Sequence, residues 1–393
     1  MRGGRLHCGL ALALAPWITC QPAVAQRSFA RPPYAGAYEP QGIDERGLWM
    51  EMDEDERLLQ ASPFVLPDPG LHDFVRGVLC RTVGEDRCRG VRVYVVKDSS
   101  FNASMAPNGV MFVHTGLLAR LHSEAELATV LGHEFGHFEK RHTLAAFRSR
   151  RTTGDALAWV ALLGAVTRRP TGAVMTALVA GHFRFERSEE VEADLLGVQF
   201  VRASGYPLRA SAVWQRVIAE EDALRAERGL RKIRRETPSM MDTHPTERQR
   251  LGYFSRLEAE VADAGDEGVD GYRQATDRVL PVLFESLIKG NDFAGADYVL
   301  RSRGDALGWS GELLYLRAEL YRQRGHPRDL VTAQDLFGQS IARADAPPES
   351  WRGLGLIAMR QGAAAEGRAA LAEYLRRAPH APDAAAVKMV MEN

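Results

Sequence analysis

The stretch Val130–His142, VLGHEFGHFEKRH, constrains this chain more than any other, because it holds His-Glu-x-x-His at His133, Glu134 and His137. Residues four apart on a helix share a face, so both imidazoles aim at one spot. Glu134 flanks that spot and reaches a water there without having to be a ligand. Neutral imidazole nitrogens suit Zn²⁺, a Lewis acid that lowers the pKa of its water, and a carboxylate alongside then takes the proton. The spacing is that of hydrolytic chemistry. The plain alternative is a surface helix with two incidental histidines, and its surroundings argue against it. Leu127, Val130, Leu131, Phe135 and Phe138 recur at helical spacing and let the helix enter a core. Gly132 and Gly136 each cost about 1 kcal/mol of helix propensity against alanine. They are tolerable where backbone must come close to something, as under a metal.

A third ligand has to come from elsewhere. Arg187–Gly197, RSEEVEADLLG, is the candidate stretch, and a helical reading puts Glu190, Ala193, Asp194 and Gly197 along one side. Glu189, Glu190 and Glu192 are all carboxylates near the right place, and composition does not choose among them.

His133-Glu134-Phe135-Gly136-His137 followed by Glu190-Val191-Glu192-Ala193-Asp194 resembles the HtpX/BepA-like zinc metallopeptidases, gluzincins with a Glu-x-x-Ala-Asp second motif. The resemblance implies one zinc per chain, with His133, His137 and Glu190 as ligands and Glu134 as general base. It makes Asp194 the carboxylate that orients a ligand histidine, a support such sites generally need. Glu189 and Glu192, rotated off that face, read as a solvated acidic flank. Asn102–Gly109 ahead of Val110–Val113 resembles the family's turn and edge strand. Thr243-His244-Pro245-Thr246 with Arg250 resembles a further motif whose histidine can approach the metal in periplasmic members and restrain it. His244 is accordingly a fourth candidate ligand, although from the residues alone it is a loop or helix-start histidine. The match covers residues 40 to about 255.

Residues 1–25 read as a secretory signal peptide: Arg2 and Arg5, an apolar run from Leu10 to Ile18, and a small-residue cleavage site ending at Ala25. Cleavage there implies the periplasm. It removes two of the four cysteines, and Cys80 and Cys88 then read as a disulfide closing a short turn. The formal net charge of −1 becomes −3, too weak and mixed for a nucleic-acid partner.

The remainder exceeds one typical domain. The expected fold is α+β. Residues 26–60 form a leader and a wrapping helix, 61–260 a mainly helical zincin-like domain with a small sheet, and 261–271 a linker. Residues 272–393 form an α-helical repeat domain. Val91–Val96 and Val110–Val113 are the strand candidates, and Leu117–Leu121 a short helix. Ser123 and Glu126 give a capping box for the metal helix, expected to reach about Ala146, with Arg148–Arg151 an exposed turn. In 155–181 two apolar runs flank Arg168-Arg169-Pro170. Neither reaches the ~20 residues a bilayer needs. They read as a buried hairpin over the active site, or as an interfacial element touching a membrane. From Trp351, Leu354, Gly355, Gly362, Leu371 and Pro379 fall on tetratricopeptide positions, with a partial unit at Ala318, Tyr321 and Gly325. Such repeats build a concave protein-binding face.

Two functions follow as expectations. One is a periplasmic zinc endopeptidase acting on unfolded or misassembled envelope proteins, with the repeats capturing client or outer-membrane assembly machinery. The other is a chaperone or assembly-binding module whose metal site His244 silences.

Overall fold

A computed structural model describes residues 40–167, 170–234, 246–260, 265–290 and 292–392. The expected signal peptide, the leader before residue 40 and His244 lie outside the described residues. Among the described residues the first helices are α1 (Gly42–Gln60), α2 (Pro69–Val83) and the short α3 (Glu85–Cys88). Strands β1 (Arg92–Val96), β2 (Ala103–Met105) and β3 (Val110–His114) follow. Next come α4 (Thr115–Arg120), α5 (Glu124–Lys140), α6 (His142–Thr167), α7 (Gly172–Ser204), α8 (Ala210–Glu227) and α9 (Glu247–Ala259). The last part is helical throughout: α10 (Val269–Asp277), α11 (Leu280–Lys289), α12 (Phe293–Leu307), α13 (Gly311–Arg324), α14 (Pro327–Ile341), α15 (Glu349–Arg360), α16 (Ala364–Arg377) and α17 (Ala384–Glu392). The fold is α+β and mainly helical, as expected.

The two β-branched runs become β1 and β3, which pair in parallel with Val93 opposite Met111 and Val95 opposite Val113. Beneath them, Leu71, Val75 and Leu79 of α2 are fully buried, which is what their helical spacing demands. β2 runs antiparallel on the other side of β3, so the order is β1-β3-β2 and β2 is an edge. The turn between β2 and β3 closes at Gly109, whose φ of 88° favours a residue without Cβ. Cys80, near the end of α2, is disulfide-bonded to Cys88 of α3, as the spacing predicted.

α1 straps the sheet through its acids. Glu56 accepts from Arg92 at 2.6 and 2.7 Å, Asp53 accepts from Asn108 at 2.8 Å, and Asp44 pairs with Arg148 and Arg151. Those two arginines belong to α6 rather than to a turn.

α5 starts as its capping signal requires, with Ser123 Oγ accepting from the Glu126 N–H at 3.2 Å. The reciprocal arm differs: the Glu126 carboxylate accepts from the His122 N–H at 2.7 Å. The helix stops short of Ala146. Lys140 is its last residue, and Arg141 follows in the left-handed region at φ 58°, the one non-glycine among the described residues to do so.

The 155–181 region is a helical hairpin but not a buried one. Trp159 is 66 % exposed and Val166 73 %. α7 has 33 residues, about 50 Å of helix at 1.5 Å per residue. Among its described residues the buried ones begin at Glu189, in the C-terminal half, where Ala193 and Gly197 meet α5. No described helix is long and apolar enough to cross a membrane.

One buried cluster takes in residues from Leu66 of the first part to Leu320 of α13. Tyr272 of α10, fully buried, donates to the Leu118 carbonyl at 2.6 Å, which ties the last part of the chain to α4. Two smaller clusters, around Phe337 and around Leu371, fill the packing of α13–α15 and of α15–α17. Gly355 permits the latter: a Cβ there would meet Leu371 at 2.7 Å.

Candidate metal centre

The site is made by the close approach of α5 and α7. A Cβ at Gly197 would lie 2.9 Å from the His133 nitrogen, and one at Gly136 would lie 3.0 Å from the Ala193 carbonyl. The glycines of the motif therefore admit the backbone of a second helix, not a metal. That contact sets Glu190 opposite the two histidines. His133 Nε2 and His137 Nε2 are 3.1 Å apart, and Glu190 oxygens lie 3.7 and 3.4 Å from them. One donor atom from each of the three residues falls within 4.8 Å of the others. Glu134 Oε1 stands 3.9 Å from His133 Nε2, at the side of this cluster.

Each imidazole is held from behind. Asp194 Oδ1 lies 2.8 Å from His133 Nδ1, and Asp194 also accepts from Arg250 and from Tyr253 of α9. The Arg250 guanidinium lies over the Trp214 ring, 4.1 Å from its centroid. His142 Nδ1 lies 2.9 Å from His137 Nδ1, and its Nε2 lies 3.3 Å from Glu192 Oε2. Glu192 pairs with Lys140 at 2.7 Å, so the flank expected to be merely solvated is engaged. Its companion Glu189 is buried.

Burial, reinforced by His133 alongside, pushes His137 down to about 3, which keeps its Nε2 lone pair available. Burial likewise pushes the Glu134 carboxyl up to about 7, against the opposing pull of His133. Two imidazoles with converging Nε2 atoms and one carboxylate form a donor set that suits a four-coordinate zinc with one open position. The residues therefore fit the metal. The cleft in front is lined by Phe101, Asn102 and Ala103 at the start of β2, with Val213, Trp214 and Phe254 opposite.

The structure brings together His133, Glu134, His137, Glu190 and Asp194, five of the six residues singled out from the sequence; His244 lies outside the described residues. Sequence reasoning missed His142, Glu192 and Tyr253. Tyr253 is three residues beyond Arg250 on one helix face, a spacing that could have found it. His142 is five residues beyond His137, off the face on any continuous helix, and only the turn at Arg141 carries it back.

Residues 68–258 match the family described as Peptidase family M48. A Vibrio cholerae protein, named as a candidate beta-barrel assembly-enhancing protease, is 27% identical over 244 residues, 59% of this chain and 48% of that protein. The beta-barrel assembly-enhancing protease of Yersinia pestis is 27% identical over 208 residues, 50% of this chain and 40% of its own. The mitochondrial metalloendopeptidase OMA1 of Arabidopsis thaliana is 33% identical over 129 residues, 32% of this chain and 25% of its own. The chain thus spans less than half the length of these relatives. The match to peptidase family M48 over residues 68–258 takes in the whole centre between α5 and α7, including His133, His137 and Glu190.

Proposed function

We propose that the exported chain is a zinc endopeptidase that cuts misfolded or misassembled envelope proteins, those of the outer membrane among them. The observation that carries the reading is the convergence of His133, His137 and Glu190 with Glu134 at their side. That bacterial relatives are named beta-barrel assembly-enhancing proteases supports looking for the substrate among envelope proteins. Zinc, held by those three residues, would supply a Lewis acid beside the cleft they line. Glu134, 3.9 Å from His133 Nε2, stands where a carboxylate can accept and return a proton. It takes one from the attacking water and delivers it to the leaving amine. Asp194, 2.8 Å from His133 Nδ1, keeps that imidazole in place. The edge strand β2 offers backbone groups to an extended peptide, so affinity comes from main-chain bonds and little from side chains. That suits an enzyme for unfolded chains.

Within the same reading, residues 1–25 are removed after Ala25 and the mature chain works in the periplasm. The 61–260 domain cuts, while the helix pairs of 272–393 act as tetratricopeptide-like repeats that capture client or outer-membrane assembly machinery. His244 occupies the open metal position in the resting protein. The hairpin 155–181 touches the membrane surface, and nucleic acid is not a partner.

The test is cleavage of casein and of a denatured outer-membrane protein by the zinc-loaded mature chain, beside Glu134→Gln and His244→Ala. Cleavage lost in the first and raised in the second supports the reading. Zinc bound, clients bound and no cleavage by wild type or His244→Ala would replace it with a chaperone.

A further inference from the structure

α5 ends at Lys140, and the chain reverses through Arg141 at φ 58°, a conformation that a residue with a Cβ adopts only under constraint. Arg141 is not a glycine, yet α6 begins at the very next residue. What the turn accomplishes is to return His142, 7 % exposed as a side chain, against the back of His137. The ring nitrogens then permit one consistent assignment of protons. His137 presents Nε2 toward His133 and Glu190, so that atom has to be free of hydrogen to bind a metal. Its Nδ1 consequently carries the hydrogen and donates to His142 Nδ1 at 2.9 Å. His142 then carries its own hydrogen on Nε2, directed at the Glu192 carboxylate 3.3 Å away. Lys140, the last residue of α5, holds Glu192 at 2.7 Å. On the other imidazole, Asp194 makes the same contact directly, 2.8 Å from His133 Nδ1. One ligand is thus backed by a carboxylate in contact, the other by a carboxylate acting through an intervening imidazole.

We infer that His142, backed by Glu192, is a positioning residue that fixes the tautomer and ring orientation of His137 for metal binding. The inference rests on the proposed zinc site. Groups of this kind, donated to by the distal nitrogen of a ligand histidine, typically change metal affinity 10–100-fold when removed.

The experiment is zinc affinity by competition with a chromophoric chelator, run on the full mature chain, with the melting temperature of the metal-free protein measured in parallel. His142→Ala is expected to weaken zinc binding by 10–100-fold with that metal-free melting temperature unchanged. His142→Asn places an acceptor oxygen near the Nδ1 position and is expected to recover most of the loss. Glu192→Ala is expected to weaken binding by a smaller factor, and it decides the matter if His142→Ala does not fold. Wild-type affinity in both alanine variants overturns the inference while leaving the zinc site intact. A wild-type chain that takes up no zinc overturns the zinc site and the inference together.

Discussion

Asp194 Oδ1 lies 2.8 Å from His133 Nδ1, and the same carboxylate, almost fully buried, accepts from Arg250 and Tyr253. Three elements, α5, α7 and α9, therefore meet on one side chain. Asp194→Ala removes the partner of a buried guanidinium, a change that costs about 3–5 kcal/mol when no other group takes over. Glu190 lies 4.0 Å from Arg250 and will draw it in, away from its place beside the histidines. The expected outcome is a fall in zinc affinity of roughly 10–100-fold, read by chelator competition. Tyr253→Phe, which leaves the ion pair, is expected to lose far less.

The glycine contact between α5 and α7 is tested by Gly197→Ala. The added methyl must push against the His133 backbone at 2.9 Å, where no flexible side chain can yield. Overpacking of this kind costs about 1–3 kcal/mol. Separating the helices also carries Glu190 away from His133 and His137. Urea unfolding and zinc titration on the same samples are both expected to move. An unchanged zinc affinity would show that the spacing of the two helices does not set the site.

Cys80–Cys88 closes a short loop between α2 and α3, with 8 residues of separation. Chain entropy puts its contribution at about 2–3 kcal/mol. The paired change Cys80→Ser and Cys88→Ser is expected to lower the urea midpoint accordingly, and a reducing agent is expected to lower that of the wild type and leave the variant alone.

Glu312, in the first turn of α13, is pushed up to about 7 by burial, with Glu349 and Asp345 adding to the effect. Its ordinary value is 4.5, so between 4.5 and 7 the folded chain keeps a proton that the unfolded chain has released. Stability from this group therefore falls as pH rises through that window and stays low above it. With its partial exposure taken into account, the loss is on the order of 1–2 kcal/mol. Glu312→Gln is expected to match the wild type near pH 4 and to exceed it above pH 7, in denaturant melts at both values.

Trp159, Leu162 and Val166 are 66 %, 53 % and 73 % exposed on α6. If the hairpin meets a membrane surface, as proposed, the mature chain floats with anionic phospholipid vesicles, and changing all three residues to serine releases it without loss of casein cleavage. Flotation equal to that of the wild type would remove the hairpin from that role.

The sequence by itself determined the α+β class, the helix carrying His133, Glu134 and His137, the β-branched strands at 92–96 and 110–114, and the pairing of Cys80 with Cys88. These are legible because they depend on spacing within a short stretch: a four-residue interval on a helix, alternation along a strand, two thiols a few residues apart. Glu190 and Asp194 were legible only as a second motif, because three carboxylates shared the stretch and spacing alone left the ligand open. Tertiary structure decided what faces what. Gly132 and Gly136 signalled a close approach, but only the packing of α7 shows that the backbone around Ala193 and Gly197 is what approaches. The apolar runs of 155–181 read as a buried hairpin or an interfacial element, and only the structure shows Trp159, Leu162 and Val166 exposed. His142 is the sharpest case. Continuous helical periodicity points it away from His137, and one residue in the left-handed region at Arg141 turns it back. A local pattern specifies which side of an element is apolar or basic, whereas the partner of that side is fixed by where the chain turns, and a single φ angle is enough to change it.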